Sequence, residues 1–450
     1  MAIERWQMEI MERGELFRVG GAVRDELMRT ASIDTEVDYL VRGIPPEELE
    51  AILSRYGRVV FVGKSFGVYK FKLGASATDI DIAYPRTEVS TGPGHRDFDV
   101  RWDWTLPVEA DLGRRDFTIN AIAKNLADGK IVDPHAGAKD IEDRLLRMVF
   151  PHAFGDDPLR ILRGIRFAAR FALRIEDATY EAMRKSAGLV ENLSPERIQE
   201  EFTKLFAHCK RPSEGLSTMQ RTGVLAHVLP ELDRAFGVEQ NEFHVDDVFW
   251  HSLKSCDEAP QGNLVVRWAA LLHDLGKVEK KQVVRDEEGE KVVFYGHETV
   301  SAGMAKDILG RLRYANETVE RCSHLVENHM FLYRRDWNRS TVRRFIRRVG
   351  QENLEDLFAL READCLSRGL TDEVENIADL RTRIEAELRE SSALKLTDLA
   401  VDGDDVKIIL GVGEGPEIGR VLQDLLEMVL DDPSLNTREK LIGIVKRGRG

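Results

Sequence analysis

Leu16-Phe17-Arg18-Val19-Gly20-Gly21-Ala22-Val23-Arg24-Asp25-Glu26-Leu27-Met28 decides how the N-terminal third of the chain is read. Leu16–Val19 reads as a short apolar strand, Gly20-Gly21 as a break, and Ala22–Met28 as a helix. A glycine pair at that junction lets backbone amides approach an anion, and the helix N-terminus adds positive potential. An ordinary tight turn looks the same, so the neighbours decide. Arg24 places a cation beside the turn, and Asp34, Glu36 and Asp38 follow at alternate positions. Alternate strand residues share a face, and two like charges that close call for a cation between them. Carboxylates holding Mg²⁺ against a nucleoside triphosphate are the usual use of such a pair. Asp79-Ile80-Asp81 repeats the pattern. A solvated strand edge is the alternative for one pair, and it fits two pairs plus a glycine turn poorly.

Val37–Val41, Val59–Val62, Val68–Leu73 and Ile80–Tyr84 read as further strands, and polar Ser90–Asp103 as a mobile loop. Gly113-Arg114-Arg115-Asp116 offers guanidinium forks for phosphate oxygens, with a surface ion-pair cluster as the other reading. After Pro151 the pattern turns helical, beginning with Leu159, Leu162, Ile165, Phe167 and Ala168. The expected fold is therefore α+β, a mixed sheet-and-helix head followed by a long helical body. Four parts are expected: 1–150, a catalytic head; 151–232, a helical neck; 233–380, which holds most of the histidines; and 381–450, a helical tail region.

Composition narrows the class. The 450 residues suit two to four domains. No apolar run reaches the roughly 18 residues of a membrane span, and the first residues lack the apolar core of a secretory signal. Cys209, Cys256, Cys322 and Cys365 are scattered with no CxxC, so a reduced, cytoplasmic chain is expected. Lys+Arg of 65 against Asp+Glu of 79 gives a net charge of −14, which on average disfavours a polyanion binder.

Local charge reads otherwise. Residues 371–450 hold 11 basic and 18 acidic residues, whereas 151–232 hold 12 and 11. Within the second block Arg160, Arg163, Arg166 and Arg170 recur on one helix face, and nucleic-acid binding needs only such a local stripe. A second cluster is Arg334, Arg335, Arg339, Arg343, Arg344, Arg347 and Arg348, read equally as a solvated helix or an RNA contact.

The head and neck motifs, in order, are Gly20-Gly21-Ala22-Val23-Arg24-Asp25, Glu36-Val37-Asp38, Arg114-Arg115-Asp116, Asp133-Pro134-His135-Ala136-Gly137 and Asp157-Pro158-Leu159-Arg160-Ile161-Leu162-Arg163. This series resembles the class II tRNA nucleotidyltransferases, the CCA-adding enzymes and bacterial poly(A) polymerases of the polymerase-β superfamily, over residues 15–235. The resemblance implies a polymerase-β-like head. It implies that Gly20, Gly21, Arg24, Arg114 and Arg115 hold the triphosphate and Asp116 the ribose. Glu36 and Asp38 take the place of the metal-binding pair, with Glu36 where aspartate is usual. Asp81, with Asp79 as the competing candidate, stands for the third catalytic carboxylate. Asp157 and Arg160 match the side chains that read the incoming base, with Arg163 one turn on and Asp156 where glutamate is usual. A carboxylate that accepts from an exocyclic amine and a guanidinium that donates to the ring suit C and A alike. Glu196-Arg197 and Glu200 resemble the helix that braces this surface.

Six of the eleven histidines lie between His244 and His329. Leu271-Leu272-His273-Asp274-Leu275-Gly276-Lys277 puts a His-Asp pair on an apolar helix, where a shared divalent metal resolves the burial cost. The spacing of His251, His273, Asp274 and Asp364 resembles an HD-type phosphohydrolase domain. His297 and His329 are candidates to complete a two-metal variant, with His324 the weaker one and Lys277 a phosphate contact. The metal expected is Ni, Mn, Co or Fe. CCA-adding enzymes with such a domain include members with phosphatase and 2′,3′-cyclic phosphodiesterase activity.

The expected function is template-independent addition of C and/or A to the tRNA 3′ end from CTP and ATP, with Mg²⁺ in the head and no membrane partner. A poly(A) polymerase on the same scaffold is the first alternative, and an HD phosphohydrolase with an RNA-holding head the second. Asp398–Ile444 resembles the C-terminal region of bacterial CCA-adding enzymes, which implies a part in holding tRNA. The stripe Ile418, Val421, Leu422, Leu425, Leu426 and Val429 reads as helix packing.

Overall fold

The computed structural model describes residues 3–30, 37–62, 67–74, 80–90, 98–240, 245–286, 289–390 and 395–447. Asp34, Glu36, Asp79 and His244 lie outside them. Two compact units result, Met1–Pro230 and Glu231–Gly450.

In the first unit the strands are β1 (Glu15–Val19), β2 (Tyr39–Arg42), β3 (Gly57–Val62), β4 (Val68–Leu73), β5 (Ile80–Ala83), β6 (Arg86–Ser90), β7 (Phe98–Trp102), β8 (Ala123–Asn125) and β9 (Ile131–Val132). Seven form one sheet in the order β3-β4-β5-β2-β1-β8-β9. Only the β2–β5 pairing is parallel. Strand alternation sorts the side chains onto two faces. Leu16, Tyr39, Val41, Tyr69 and Phe71 join Trp6 and Ile10 in one core, while Phe17, Val19 and Leu40 pack with Leu112 and Ala123 in another. Sequence reading missed β6 to β9. The expected mobile loop at Ser90–Asp103 instead carries β7, paired antiparallel with β6, and its residues 91–97 lie outside the described set.

The neck helix Leu159–Phe171 buries Ile161, Leu162, Ile165 and Phe167, whereas Leu159 is only half-buried. The body is not purely helical. Arg174–Ile175 pairs with Leu145–Leu146, and Gln282–Asp286 forms a hairpin with Gly289–Val293. These strands are too short, or too mixed in polarity, to stand out by period.

In the second unit the charged helix expected at Arg381–Glu390 begins at Thr371 and runs unbroken to Glu390, so a boundary at 380 falls inside a helix. The apolar stripe of helix Pro416–Asp431 packs as expected, with Leu425, Leu426, Val429 and Leu430 buried. Arg339, Arg343 and Arg344 of the second arginine cluster make ion pairs within the unit. Arg343 is 4% exposed. Its Nη1 donates to Glu387 Oε2 (2.8 Å) and its Nε to the Leu430 carbonyl (2.6 Å). Arg339 pairs with Glu387, and Arg344 with Asp431 and Glu427. Helix Arg339–Val349 is thus cross-linked to the helices on either side. Among the described residues no helix is long and apolar enough to cross a membrane.

Removing one partner of a buried pair strands the other charge, at roughly 3–5 kcal/mol. Arg343→Ala should lower unfolding stability of the second unit by about that much in urea titrations. Arg335→Ala should change it by less than about 0.5 kcal/mol.

Candidate functional site

The first site is built where β1 meets helix Gly21–Met28. Gly20 has φ +68°, a region side chains rarely adopt, and its N–H donates to the Ile122 carbonyl (3.2 Å). A Cβ there would sit 2.6 Å from Arg115 Nη1, so the turn and that arginine are in close approach. Buried Arg24 donates through Nε to Asp25 Oδ1 (2.8 Å) and through Nη1 to Asn120 Oδ1 (2.8 Å). The Phe171 ring centre lies 4.6 Å from its guanidinium. Asn120 in turn donates to Asp116 Oδ1 (3.0 Å), and Arg163 Nε donates to Asp116 Oδ2 (2.8 Å). Burial alone would raise the Asp116 carboxyl. The Arg163 charge, with the Asn120 hydrogen bond, more than offsets it and holds the pKa at about 2.

Arg114 and Arg115 share one buried anchor. Asp111 accepts from Arg114 Nη2 (2.6 Å) and Arg115 Nη2 (3.1 Å). Arg160 Nη2 donates to the Arg114 carbonyl (3.0 Å), and its guanidinium lies over Phe150. Asp157 is gripped by Arg197 Nη2 (2.9 Å) and accepts the Leu159 N–H (3.1 Å).

A cavity of 860 Å³ gathers Gly20, Gly21, Arg24, Asp38, Arg114, Arg115, Asp116, Asp157, Arg160 and Arg163. Arg166 and Arg170 also line it, although Arg166 is buried in a 2.7 Å ion pair with Glu201. Glu200 lines it too, while Glu196 is exposed and does not. Asp38 precedes β2 and extends its ladder, its carbonyl accepting the Val19 N–H (3.1 Å). Asp81 is on β5 beside β2, where Tyr39 pairs with Ile82, so Asp81 is in register with Asp38. Its carboxylate meets Lys70 Nζ (2.6 Å), and it is not among the cavity-lining residues. Sequence reading missed Asp111 and Asn120. Asp111 had a signal, standing three and four residues ahead of the arginine pair. Asn120 had none beyond its distance from Asp116.

In the second unit four imidazoles converge on two carboxylates. Asp274 Oδ2 lies 3.2 Å from His251 Nε2 and 3.3 Å from His273 Nε2. Asp274 Oδ1 lies 3.2 Å from His297 Nε2 and 3.7 Å from His329 Nε2. Asp364 Oδ1 lies 3.2 Å from His251 Nε2. The outer nitrogens fix the tautomers. Nδ1 of His273, His297 and His329 faces the carbonyls of Ala270, Phe294 and Val326 at 2.8, 2.8 and 2.6 Å. A carbonyl only accepts, so each Nδ1 carries the proton and each Nε2 turns a bare lone pair inward. The Ser367 hydroxyl donates to the Asp364 carbonyl (2.7 Å), which leaves its oxygen to accept from His251 Nδ1 (3.2 Å).

Nε2 of His297 and His329 is buried and makes no hydrogen bond. Burial lowers the His329 pKa, which keeps its ring neutral. Bare imidazole nitrogens around a shared carboxylate fit divalent metal. The residues divide into two sets that share Asp274: His251, His273, Asp274, and Asp274, His297, His329. His324 is not part of the cluster, its Nε2 bonding the Val349 carbonyl (2.6 Å). Lys277 Nζ bonds Asp274 Oδ2 and Gln240 Oε1, both at 2.7 Å. Arg361 Nη1 (2.7 Å) and Arg368 Nη2 (3.0 Å) both donate to Asp364 Oδ2. These two arginines stand three before and four after Asp364, a spacing with no signal of its own on a helix rich in charge.

Gly276 permits this packing. A Cβ there would lie 2.4 Å from the His297 carbonyl and 2.9 Å from the Ser301 nitrogen.

A glycine-turn cavity lined by arginines and carboxylates on a mixed sheet defines a nucleotidyltransferase head, here on one chain with a histidine–aspartate metal-binding unit. Comparison with known proteins gives the same division. Residues 16–147 match the Poly A polymerase head domain, 172–236 the probable RNA- and SrmB-binding site of polymerase A, and 244–369 the HD domain. The multifunctional CCA protein of Cupriavidus necator is 34% identical over 408 residues, covering 87% of this chain and 95% of that one. That of Azoarcus sp. is 40% identical over 304 residues, 66% of this chain and 68% of that one. The CCA-adding enzyme of Bacillus stearothermophilus in complex with CTP shares the fold, with a TM-score of 0.72 at 21% identity over 99% of this chain and 98% of that one. The Thermotoga maritima enzyme complexed with tRNA gives a TM-score of 0.56 over 99% and 93%. The chain belongs to the multifunctional CCA protein family, nucleotidyltransferases with an HD domain.

Because both ligand sets use Asp274, Asp274→Ala should abolish metal retention. His329→Ala should remove one ion and keep the other, as read by elemental analysis of the dialysed protein. Gly276→Ala should weaken retention through the displaced His297.

Proposed function

We propose that the chain adds C and/or A to the tRNA 3′ end from CTP and ATP, releasing pyrophosphate, and that its HD centre hydrolyses phosphate esters. The observation that carries the first reading is the 860 Å³ cavity, in which the Gly20-Gly21 turn, Arg114, Arg115, Asp116, Asp157 and Arg160 face one space. In the reaction the terminal ribose oxygen of the RNA bonds to the α-phosphorus. The bond from that phosphorus to the departing pyrophosphate breaks, and the hydroxyl proton goes to base. Glu36 and Asp38 hold Mg²⁺, which when bound neutralises charge on the transferring phosphate. Asp81, in register with Asp38 on the neighbouring strand, is the third carboxylate in this reading and the acceptor of the hydroxyl proton. Arg24, Arg114 and Arg115, with the Gly21 amide at the helix N-terminus, bind the triphosphate, and Gly20 shapes the turn that lets it approach. Asp116 binds the ribose hydroxyl.

Asp157 and Arg160 read the base. Asp157 is held by Arg197 and Arg160 by the Arg114 carbonyl, so both present fixed hydrogen-bonding edges with no nucleic-acid template. Arg163 holds Asp116. The charge of the neck helix is mostly turned to nucleotide and ion pairs, with tRNA held through local contacts.

The division we propose is 1–150 head, 151–232 neck, 233–380 HD domain and 381–450 tail, with the helix Thr371–Glu390 bridging the last two. The tail helps hold tRNA. The HD centre takes Ni, Mn, Co or Fe at His251, His273, Asp274 and Asp364, with His297 and His329 for a second ion. The chain works in the cytoplasm.

The test is incubation with tRNA ending at the discriminator base, with CTP, ATP or both. Asp38→Ala should lower incorporation at least about a thousandfold, and retained activity overturns the assignment. Arg160→Ala should degrade CTP and ATP selection more than tRNA affinity. Asp111→Ala should raise KM for both nucleotides roughly tenfold to a hundredfold, because it frees two arginines at once. Long tails from ATP alone would mark a poly(A) polymerase instead.

A further inference from the structure

The sheet face that carries Asp81 continues outward over β4 and β3 and lies open to solvent there, with Val60 45% and Val62 46% exposed. Alternation along β3 turns Val59 and Phe61 to the core and Arg58, Val60 and Val62 outward. On β4 Tyr69 and Phe71 are buried, so Lys70 and Lys72 alternate outward. Register carries the pattern across the strands. Val60 pairs with Lys70 and Lys70 with Asp81, while Arg58 pairs with Lys72. The described outward positions of β3, β4 and β5 thus hold three cations and one acid, Asp81.

Lys70 is answered by Asp81 (2.6 Å). Arg58 and Lys72 differ. They stand directly opposite each other, where like charges destabilise a sheet, and among the described residues neither makes an ion pair. Charges that only blunt a sheet edge belong on its outermost strand, yet Lys72 is on the second strand, and β3 shows two exposed valines. An anion laid across the pair removes the repulsion. The position says which anion. An RNA terminus that is to be extended must come to Asp81. The side of Asp81 towards β2 belongs to Asp38 and the nucleotide cavity, and the open side is towards β4 and β3.

We propose that this face is the docking surface for the RNA strand being extended, with backbone phosphates of its last nucleotides on Arg58 and Lys72 and its terminal hydroxyl arriving at Asp81. Val60 lies under the strand, and Lys70 stands beside the terminus. This rests on the nucleotidyltransfer reading of the head and assigns the path of the RNA within it. Two strand spacings, about 10 Å, separate β3 from β5, so the contacts fall within the last few nucleotides.

The test uses the full chain and a tRNA ending at the discriminator base. Kd for that tRNA is measured from low to physiological salt, and KM for CTP at saturating tRNA. Arg58→Thr and Lys72→Thr keep strand-favouring side chains. Each should weaken tRNA binding about twofold to fivefold and reduce the slope of log Kd against log salt by about 0.7 to 0.9, with KM for CTP unchanged. Lys130→Thr, beside β9 at the opposite edge of the sheet, should change none of these. Arg58→Glu sets an acid opposite Lys72, so its melting temperature should hold or rise while tRNA binding falls about tenfold. Cys209, Cys256, Cys322 and Cys365 are buried, so Val60→Cys offers an exposed thiol for a tethered hydroxyl-radical probe. Cleavage should fall in the last few nucleotides of the 3′ strand.

Parent-like tRNA affinity and salt slope in either threonine variant overturns the proposal, as does cleavage away from the 3′ end. A raised KM for CTP with unchanged tRNA binding assigns the pair to the nucleotide and overturns it too. A melting temperature that falls together with affinity in Arg58→Glu marks a structural role instead and overturns the contact. In each of these cases the nucleotidyltransfer reading stands, because the parent extends the tRNA. A parent that binds the tRNA but does not extend it with CTP and ATP overturns that reading and the proposal together.

Discussion

The ion pair between Asp116 and Arg163 fixes the geometry of the first unit. It joins residues from opposite sides of the head–neck junction, and both oxygens of the carboxylate are used. One accepts from Arg163, the other from Asn120 and the Phe117 N–H. Asn120 carries the constraint on to Arg24, whose guanidinium is packed over Phe171 at the end of the same neck helix. A closed circuit results: neck helix, Asp116, Asn120, Arg24, neck helix. Asp116, Asn120 and Arg24 are buried, so their polar atoms must find partners or cost free energy. The cavity lined by Arg24, Asp116, Asn120 and Arg163 is thus braced by bonds within the chain.

The acidic total of −14 fits this arrangement. The arginines that looked in sequence like an RNA-binding surface are in large part structural cations. Arg166 neutralises Glu201, Arg343 and Arg339 neutralise Glu387, and Arg344 answers Asp431. Counting charges along the chain could not separate these from the arginines facing the cavity. Both sets occur at helical spacing, and a partner 30 to 90 residues away decides which is which.

Legibility followed the range of the interaction. The strand-glycine-helix signal at Leu16–Met28 is local, and so are the alternations of β3 to β5. The Asp157 to Arg163 motif is local too, and its residues come together as read. Strands of two or three residues, such as Ala123–Asn125, exist because the sheet edge beside β1 accepts them, and no period marks them. Asn120 is invisible for the same reason, since its importance lies in Arg24, 96 residues away. Asp111 was missed although its signal was present, because a buried acid ahead of two arginines resembles a surface ion pair until burial is known.

The histidine cluster makes the same point from the other side. Sequence alone named His251, His273, Asp274, His297, His329 and Asp364, because histidine is scarce and a His-Asp pair in an apolar stretch has few other uses, although the helix ends at Leu272 and the pair sits in the turn that follows it. What it could not supply was orientation. Three carbonyls and one serine hydroxyl bind the outer nitrogens, and those four bonds turn a group of buried imidazoles into a set of inward lone pairs. Asp274 then becomes shared because its two oxygens face two imidazole pairs. Gly276 belongs to the same requirement, since any side chain there would push on the His297 backbone. The HD motif is therefore a backbone arrangement as much as a list of ligands, and its glycine acts through the space it leaves open.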